Sequence, residues 1–568
     1  MSLVQKLDQA FDLFDAGELA SAAGLCREIL SEDANVYGAL YLLGSILAEQ
    51  GSLLEAKNLL QRAVALQPER KIAYFNLAKV LLDLGDFAAS LVCLETYLGI
   101  DEFDPQAHVM HATALAGLRR FKDSHHALDR ALALNSRLAE AWYNRGNLFK
   151  AEGFFDAAID AFKRAIEFDP TSVESYINCG VALNSIESFS LALEFYSKAL
   201  SLDPGSANAW SNRGITLHAL ERFSEAQDSF DRALSLNPDH PEARSNRAYT
   251  KLLTGNFLSG WQDYEYRRHS RDYVDIALGA HAVPMDRIIQ SPIINQVIDQ
   301  HVVLMGEQGV GDIIMFSSMI DDLLAVAARV DLVVEARLCR LLQDSFPAVR
   351  VMDRAKVSPM EIGSEAIWLF IGSLGSLFRP HLQSFPRKPY LRSDAQKVLK
   401  WKERIGPTRG RCIGMSWAGG LAHTRAGARS LTIHDFNKIF SPFDELTLIN
   451  LQHGASADEI VQLNDNDALD VRCFPPEDLT DLSELAALIS ALDGVVTVQN
   501  TNVHLSGALG QHCLAILPYV PEWRYALSGS SMPWYGSVEL FRRSSDGAFA
   551  PLLPELQARL NAILKSRA

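Results

Sequence analysis

The sequence predicts an α-solenoid over its first half and an α/β arrangement of two lobes over its second. Three observations carry this reading. Small residues recur at a fixed step of 34 positions up to about residue 270, short apolar β-rich runs alternate with helical ones from residue 301, and a break near "FPRKPYL" divides those runs into two series. A chain of 568 residues has room for several domains, and 48% hydrophobic with 21% charged residues is ordinary globular composition.

Ala22, Ala56, Ser90, Ser124, Ala158, Ala192, Ala226 and Gly260 stand 34 apart, and so do Gly44, Ala78, Ala112, Gly146, Gly180, Gly214 and Ala248. Pro68, Pro170, Pro204 and Pro238 mark repeat ends, where proline stops a helix because it cannot donate to the preceding turn. Paired antiparallel helices approach closely only where side chains are small, and Trp142, Tyr176 and Trp210, four positions before a glycine, fill the groove beside them. The pattern W-x-x-x-G, A-x-x-x-F and a closing D-P, as in "AWYNRGNLFKAEGFFDAAIDAFKRAIEFDP", resembles the tetratricopeptide repeat. That resemblance implies a superhelix of seven to eight repeats over residues 1–270.

A further ladder, Asn76, Asn144, Asn178, Asn212 and Asn246, lies two residues before the small position of each first helix. Amides there can hold an extended peptide by its backbone, since each offers donors and an acceptor. The alternative is that they only solvate the groove. The eighth unit gives way to "GWQDYEYRRHSRDYV", whose Trp261, Tyr264 and Tyr266 read as a docking face that caps the solenoid, with a ligand site as the alternative. Residues 271–300, with Pro284 and Pro292, read as a connection.

The second half alternates strand and helix. One series is HVVLMG, FSSMIDDLLAVAA, VDLVVEA, RLCRLLQDSF, VRVMD and IWLFIG, and the other RCIGMSWAG, LTLINLQHG, LDVRCF, LSELAALISAL, GVVTVQN, HLSGALG, HCLAILP and VELFRR. Strands so apolar, spaced by helices, belong to parallel sheets covered on both faces. Two Rossmann-like lobes are therefore expected, at 301–395 and 396–568. Ligands of such sheets sit beyond the carboxyl ends of the strands. That rule selects Glu307, Gln308 and Asp312, then Trp417 and Gly419, Gln452 and His453, Gln499, Asn500 and Thr501, and Pro518 and Trp523. In "HVVLMGEQGVGDIIMF" the order G-x-x-G-x-G differs from both the dinucleotide fingerprint and the Lys-bearing P-loop. Gly306, Gly309 and Gly311 there clear space beside Asp312.

"VTVQNTNVHLSGALG" is strand, polar loop and then a helix opening on Thr501, Asn502 and His504. Free amides and the helix dipole at such a start favour a phosphate by about 0.3 to 1 kcal/mol when exposed. The alternative is an ordinary capped helix packed through Gly507 and Ala508. Arg425 and Arg429 follow the strand RCIGMSW, where a guanidinium facing that helix start would neutralise a leaving phosphate, with plain surface solvation the alternative. "NDND" at 464–467 reads as a surface turn.

The net charge of -16 argues against binding nucleic acid or an anionic membrane surface. Seven scattered cysteines without C-x-x-C indicate neither a zinc site nor a disulfide framework, and no metal is expected. The opening "MSLVQKLDQAFDLFDAGE" lacks the basic start and apolar core of a secretory signal, and no uncharged run approaches the ~18 residues of a membrane helix. A cytoplasmic location with no membrane span is expected.

GEQGVGDIIMF, GMSWAGG with RSL, NLQ, "LTDLSELAALISALDGVVTVQNTNVHLSGALG", "LPYVPEWRY", "MPWYG" and "LFRR" together resemble bacterial tetratricopeptide-glycosyltransferase fusions. Their catalytic half is similar to the heptosyltransferases and, more distantly, to protein O-GlcNAc transferases. The resemblance implies a GT-B fold, metal-independent, with the nucleotide-sugar as co-substrate on the C-terminal lobe and the acceptor on the N-terminal one. It implies Asp312 as general base, the loop Gly306, Glu307, Gln308, Gly309 and Gly311 on the acceptor side, and donor contacts from Trp417, Gly419, Arg429, Gln452, Asp481, Gln499, Asn500, Thr501, Asn502 and His504.

Where the heptosyltransferases carry Asp-Thr, this chain has Gln499 and Asn500, which opens the site to an acidic donor such as a CMP-nonulosonic acid. The expectation is a protein O-glycosyltransferase acting on Ser or Thr of a protein held by the repeats, with flagellin the first acceptor to test. Transfer to a cell-surface glycan or lipid-linked acceptor, and a non-catalytic scaffold, are the alternatives.

Overall fold

The computed structural model describes residues 1–269, 288–289, 291–357, 362–363, 365–420, 426–464, 469–544 and 547–565. Most of the expected connection, including Pro284, lies outside the described residues, as do Arg425 and residues 465–467 of the expected surface turn. The chain forms two compact units, Met1–Thr216 and Leu217–Ala568.

The first unit is a run of helices from Leu3–Asp15 to Phe189–Leu202, each thirteen or fourteen residues long, followed by most of the helix Ala207–Ala219. The 34-residue ladders are its packing surface. Ala22, Ala56, Ala158 and Ala192 are fully buried. Where the ladder has serine instead, the hydroxyl is satisfied: Ser90 donates to the carbonyl of Ala78 at 2.9 Å and Ser124 to that of Ala112 at 2.8 Å. A Cβ on Gly146 would stand 2.6 Å from the ring of Phe162, and one on Gly180 2.6 Å from the ring of Tyr196. Gly146 and Gly180 are thus the floor on which the aromatic side chain of the following helix rests, and Gly44 plays that part for Leu60. Trp142 and Trp210 close their own repeats, their indole N–H groups donating to the carbonyls of Ser136 at 2.9 Å and Pro204 at 3.1 Å.

The second unit begins with helical hairpin material, Phe223–Leu236, Pro241–Leu253 and Phe257–Tyr264, and continues into ten strands among the described residues. These are β1 (His301–Met305), β2 (Arg329–Val334), β3 (Arg350–Asp353), β4 (Ile367–Phe370), β5 (Arg411–Ser416), β6 (Leu446–Asn450), β7 (Asp470–Arg472), β8 (Gly494–Val498), β9 (Cys513–Leu517) and β10 (Val538–Arg542). Every pairing between them is parallel. One sheet has the order β3-β2-β1-β4 and the other β10-β9-β8-β5-β6-β7. Counted from its own first strand, the larger sheet has the 3-2-1-4-5-6 order of doubly wound nucleotide-binding sheets, and the smaller is that order cut short.

Trp261 and Tyr264 are buried in the core that the α/β half shares with the last helices. The Trp261 indole donates to the carbonyl of Arg379 at 2.8 Å, and its ring meets that of Trp523 edge-on at 5.5 Å. This burial explains why the repeat pattern decays there: the residues answer to the sheet they cover, not to a further repeat. Tyr266 lies outside that cluster, its ring beneath the guanidinium of Arg244 at 3.6 Å.

Candidate functional site

Each parallel sheet opens a crevice where its strand order reverses, between β1 and β4 in the smaller and between β5 and β8 in the larger. The first crevice is filled by the chain itself. Glu307, just beyond β1, accepts from Arg267 at 2.6 and 3.2 Å and from the amide of Gly372, just beyond β4, at 2.8 Å. Arg267 also pairs with Glu265 at 3.2 Å, and Ser373 donates to Glu265 at 3.0 Å. Glu307 was expected on the acceptor side of a ligand site; with its carboxylate committed to Arg267, it is instead an anchor between the last helical segment and the sheet. Gln308 departs likewise, taking a left-handed turn at φ 59° and accepting from the Tyr264 hydroxyl at 3.0 Å. Gly306 permits β1 to pass β2 closely, since a Cβ would stand 2.9 Å from Val334.

Asp312 lies in the first turn of the helix Val310–Ser317, where its Oδ2 reaches back to the amide of Gly309 at 3.3 Å. Its Oδ1 accepts from Arg524, from Nε at 2.7 Å and from Nη2 as well. The Asp312 and Arg524 side chains are 14% and 13% exposed. At Gly311 this helix touches the helix Thr501–Leu509 of the larger sheet: a Cβ would stand 3.0 Å from the His504 ring and 3.7 Å from Thr501. The glycine therefore sets the approach of the two lobes, with Asp312 one residue away.

The second crevice is built of amides. A Cβ on Gly419 would stand 2.3 Å from the carbonyl of Gln499, so only glycine lets the β5 and β8 loops pass. Asn500 caps the helix Thr501–Leu509, accepting from the amide of Asn502 at 3.0 Å and donating to Ser416 at 3.0 Å and the Ala418 carbonyl at 3.2 Å. Asn502 donates to Ser416 and to the Leu451 carbonyl. The anion seat is thus narrower than the sequence implied, because Asn500 already satisfies one of its amides. Gln499 is 1% exposed and its Nε2 has no acceptor among the described residues.

Four expected donor contacts are otherwise engaged. Trp417 is buried in the core, its indole donating to Glu459 at 2.8 Å, because its side chain turns under the sheet and not into the crevice. Gln452 holds the β5 loop, accepting from the amides of Trp417 at 3.1 Å and Ala418 at 2.9 Å. Asp481 caps the helix Leu482–Ala491 and lies 3.9 Å from Lys397. His504 is buried between the hydroxyls of Tyr535 at 3.3 Å and Tyr525 at 3.4 Å. Burial, with Arg524 and Arg429 nearby, pushes its imidazole down to about 3, so it is a neutral packing group.

Arg429 ends the short helix Ala426–Arg429 and pairs with Glu522 at 2.9 Å, while also donating to the Gln499 carbonyl at 3.3 Å. Glu522 holds Arg524 on its other oxygen at 2.5 Å. A chain of alternating charge, Arg429, Glu522, Arg524, Asp312, therefore runs from one lobe to the other. Glu522 and Arg524 were missed by looking only just past each strand. They stand in the "PEWRY" turn, whose two opposite charges beside a tryptophan were the available signal.

The five ladder asparagines are all half-buried. In the first unit, Asn76 donates to Ser45 at 2.8 Å and Asn178 to the Tyr143 hydroxyl at 3.0 Å, both across to the preceding repeat, and Lys150 donates to Asn178 at 2.5 Å. In the second unit, Asn246 donates to the Glu242 carbonyl of its own helix at 2.8 Å. Asn76 and Asn178 therefore staple repeats. No group of three His, Cys, Asp or Glu among the described residues is arranged to hold a metal, and no described helix is long and apolar enough to cross a membrane.

Models of the tetratricopeptide repeat match residues 47–114, 139–172 and 207–240, so the N-terminal region carries these repeats. Protein FlbA of Caulobacter vibrioides is 27% identical over 275 residues. The match covers 45% of this chain and 45% of that protein, so the chain spans under half the length of the curated relative it matches. Among solved structures, a tetratricopeptide repeat protein from Parabacteroides merdae is 20% identical with a TM-score of 0.39, covering 44% of this chain and 98% of that one. YrrB, described as a TPR protein with an unusual peptide-binding site, is 22% identical with a TM-score of 0.27, covering 32% and 95%.

Proposed function

We propose that this protein is a GT-B glycosyltransferase that moves a sugar from a nucleotide-sugar to a Ser or Thr hydroxyl of a protein recruited by its repeats. One observation carries the reading: the loop bearing Asp312 on one parallel sheet meets the start of the helix Thr501–Leu509 on the other, with Arg429 and Arg524 between them. A carboxylate beside a helix start able to take a phosphate supplies the two parts that sugar transfer needs.

The acceptor oxygen forms its bond to the anomeric carbon as the bond from that carbon to the phosphate oxygen breaks. The electron pair leaves with the phosphate, and the hydroxyl proton goes to Asp312. Proton removal by a positioned carboxylate contributes typically ~100- to 10,000-fold. Guanidinium groups and the Thr501 amide would stabilise the departing phosphate. Gly419 and Asn500 set the crevice's width, and the amide of Gln499 replaces a carboxylate that would repel an acidic sugar. The repeats would supply the acceptor by gripping an extended segment, with flagellin the first candidate.

Calorimetric titration with CMP, UDP, ADP and GDP tests the donor site. Saturable binding of at least one, weakened by Asn500→Ala, is expected; failure of all four to bind would remove the reading.

A further inference from the structure

The charge chain across the cleft assigns Arg524 two incompatible duties. Its Nε and Nη2 both rest on Asp312 Oδ1, and its Nη1 on Glu522 at 2.5 Å. The other Asp312 oxygen takes the Gly309 amide. A carboxylate so engaged has little left for a substrate proton. Yet the same guanidinium shares Glu522 with Arg429, whose own guanidinium donates to the Gln499 carbonyl two residues before the helix Thr501–Leu509. The Gln499 Nε2, buried there without an acceptor among the described residues, leaves a hydrogen-bond donor that an incoming ligand's oxygen would satisfy.

An anion at this helix start therefore faces two guanidinium groups whose present partners include carboxylates of the protein. A phosphate offers a fork of oxygens that a guanidinium binds in bidentate fashion, as a single Asp oxygen cannot. We propose that Arg524 is a phosphate-binding residue that Asp312 holds while the donor site is empty, and that it passes to the nucleotide phosphate when donor binds. The transfer leaves Asp312 without its cation, its Oδ1 open to accept a proton from the acceptor hydroxyl. An order of events follows: Asp312 becomes a base only after the donor is seated. This rests on the donor site proposed above.

The consequence is a competition that can be measured. When a binding-competent group is free only a fraction of the time, apparent affinity falls by that fraction. Replacing Asp312 by the isosteric, uncharged asparagine removes Arg524's competitor, so Asp312→Asn should bind the nucleotide about three- to tenfold more tightly than the native chain while losing sugar transfer. Arg524→Lys keeps the charge but loses the planar fork and should bind about tenfold or more weakly. In the double variant Asp312→Asn/Arg524→Lys the gain from the first substitution should vanish, because the two residues act on one another.

The probes are CMP, UDP, ADP and GDP, titrated into the full chain and its variants. If the native chain binds a nucleotide but Asp312→Asn binds it no more tightly, or if the gain persists in the double variant, the hand-over is wrong while the donor site stands. If the native chain binds none of the four, the donor site itself falls and the hand-over with it.

Discussion

Arg267 and Glu307 meet inside the smaller sheet's crevice, Nη2 on Oε1 at 2.6 Å, with both side chains at most 2% exposed. The place where a doubly wound sheet usually takes its ligand is closed by an arginine from the end of the helical region. The smaller lobe is thereby tied to the last helices.

Breaking that pair should be costly. Arg267→Met would leave Glu307 buried and uncompensated, a loss of about 3 to 5 kcal/mol. The double change Arg267→Met/Glu307→Leu should recover part of it, because Glu307 is removed with its partner while Glu265, which also pairs with Arg267, stays buried. Urea unfolding of the three proteins checks both statements; equal stability of the single variant and the native chain would contradict them.

The repeat ladder makes a local prediction. Gly180→Ala should gain about 1 kcal/mol of helix propensity, yet lose about 1 to 3 kcal/mol as its Cβ meets the buried Tyr196 ring. A net fall in the first unit's thermal midpoint is expected, followed by circular dichroism. A rise would show that the ring can move aside.

His504 sets an acid limit. The folded chain keeps it neutral down to about 3, whereas the unfolded chain protonates it below its ordinary value of 6.5. Its contribution is therefore complete above about pH 6.5 and is lost as pH falls towards 3, at up to about 1.4 kcal/mol per pH unit. His504→Gln, which has no proton to gain, should show a flatter fall in urea midpoint between pH 6.5 and 4. Parallel curves for the two proteins would refute the assignment.

β1, β2 and β8 were legible because parallel strands buried on both faces are unbroken apolar runs such as VVLM, LVV and VVTV. The repeat was legible because a packing constraint recurs with the chain's own period. What the sequence hid depends on direction and distance. Trp417 stands just beyond a strand, as a ligand contact should, but its side chain faces inward. Glu307 sits in a loop fit for a ligand, and its partner Arg267, 40 positions earlier, is only one of two adjacent arginines in the sequence. Arg524 is seven residues past β9 and 212 from Asp312, a pairing no local spacing announces.

Sugar transfer is the central claim, and the masses of the cell's own proteins test it most directly. Intact mass spectrometry, with flagellin measured first, would compare cells carrying the native chain, cells lacking it, and cells carrying Asp312→Asn. The account predicts one or more discrete sugar masses on an acceptor in the first and their loss in the other two. Identical masses in all three would contradict it, and a sugar that survived in Asp312→Asn cells but not in cells lacking the chain would contradict the base.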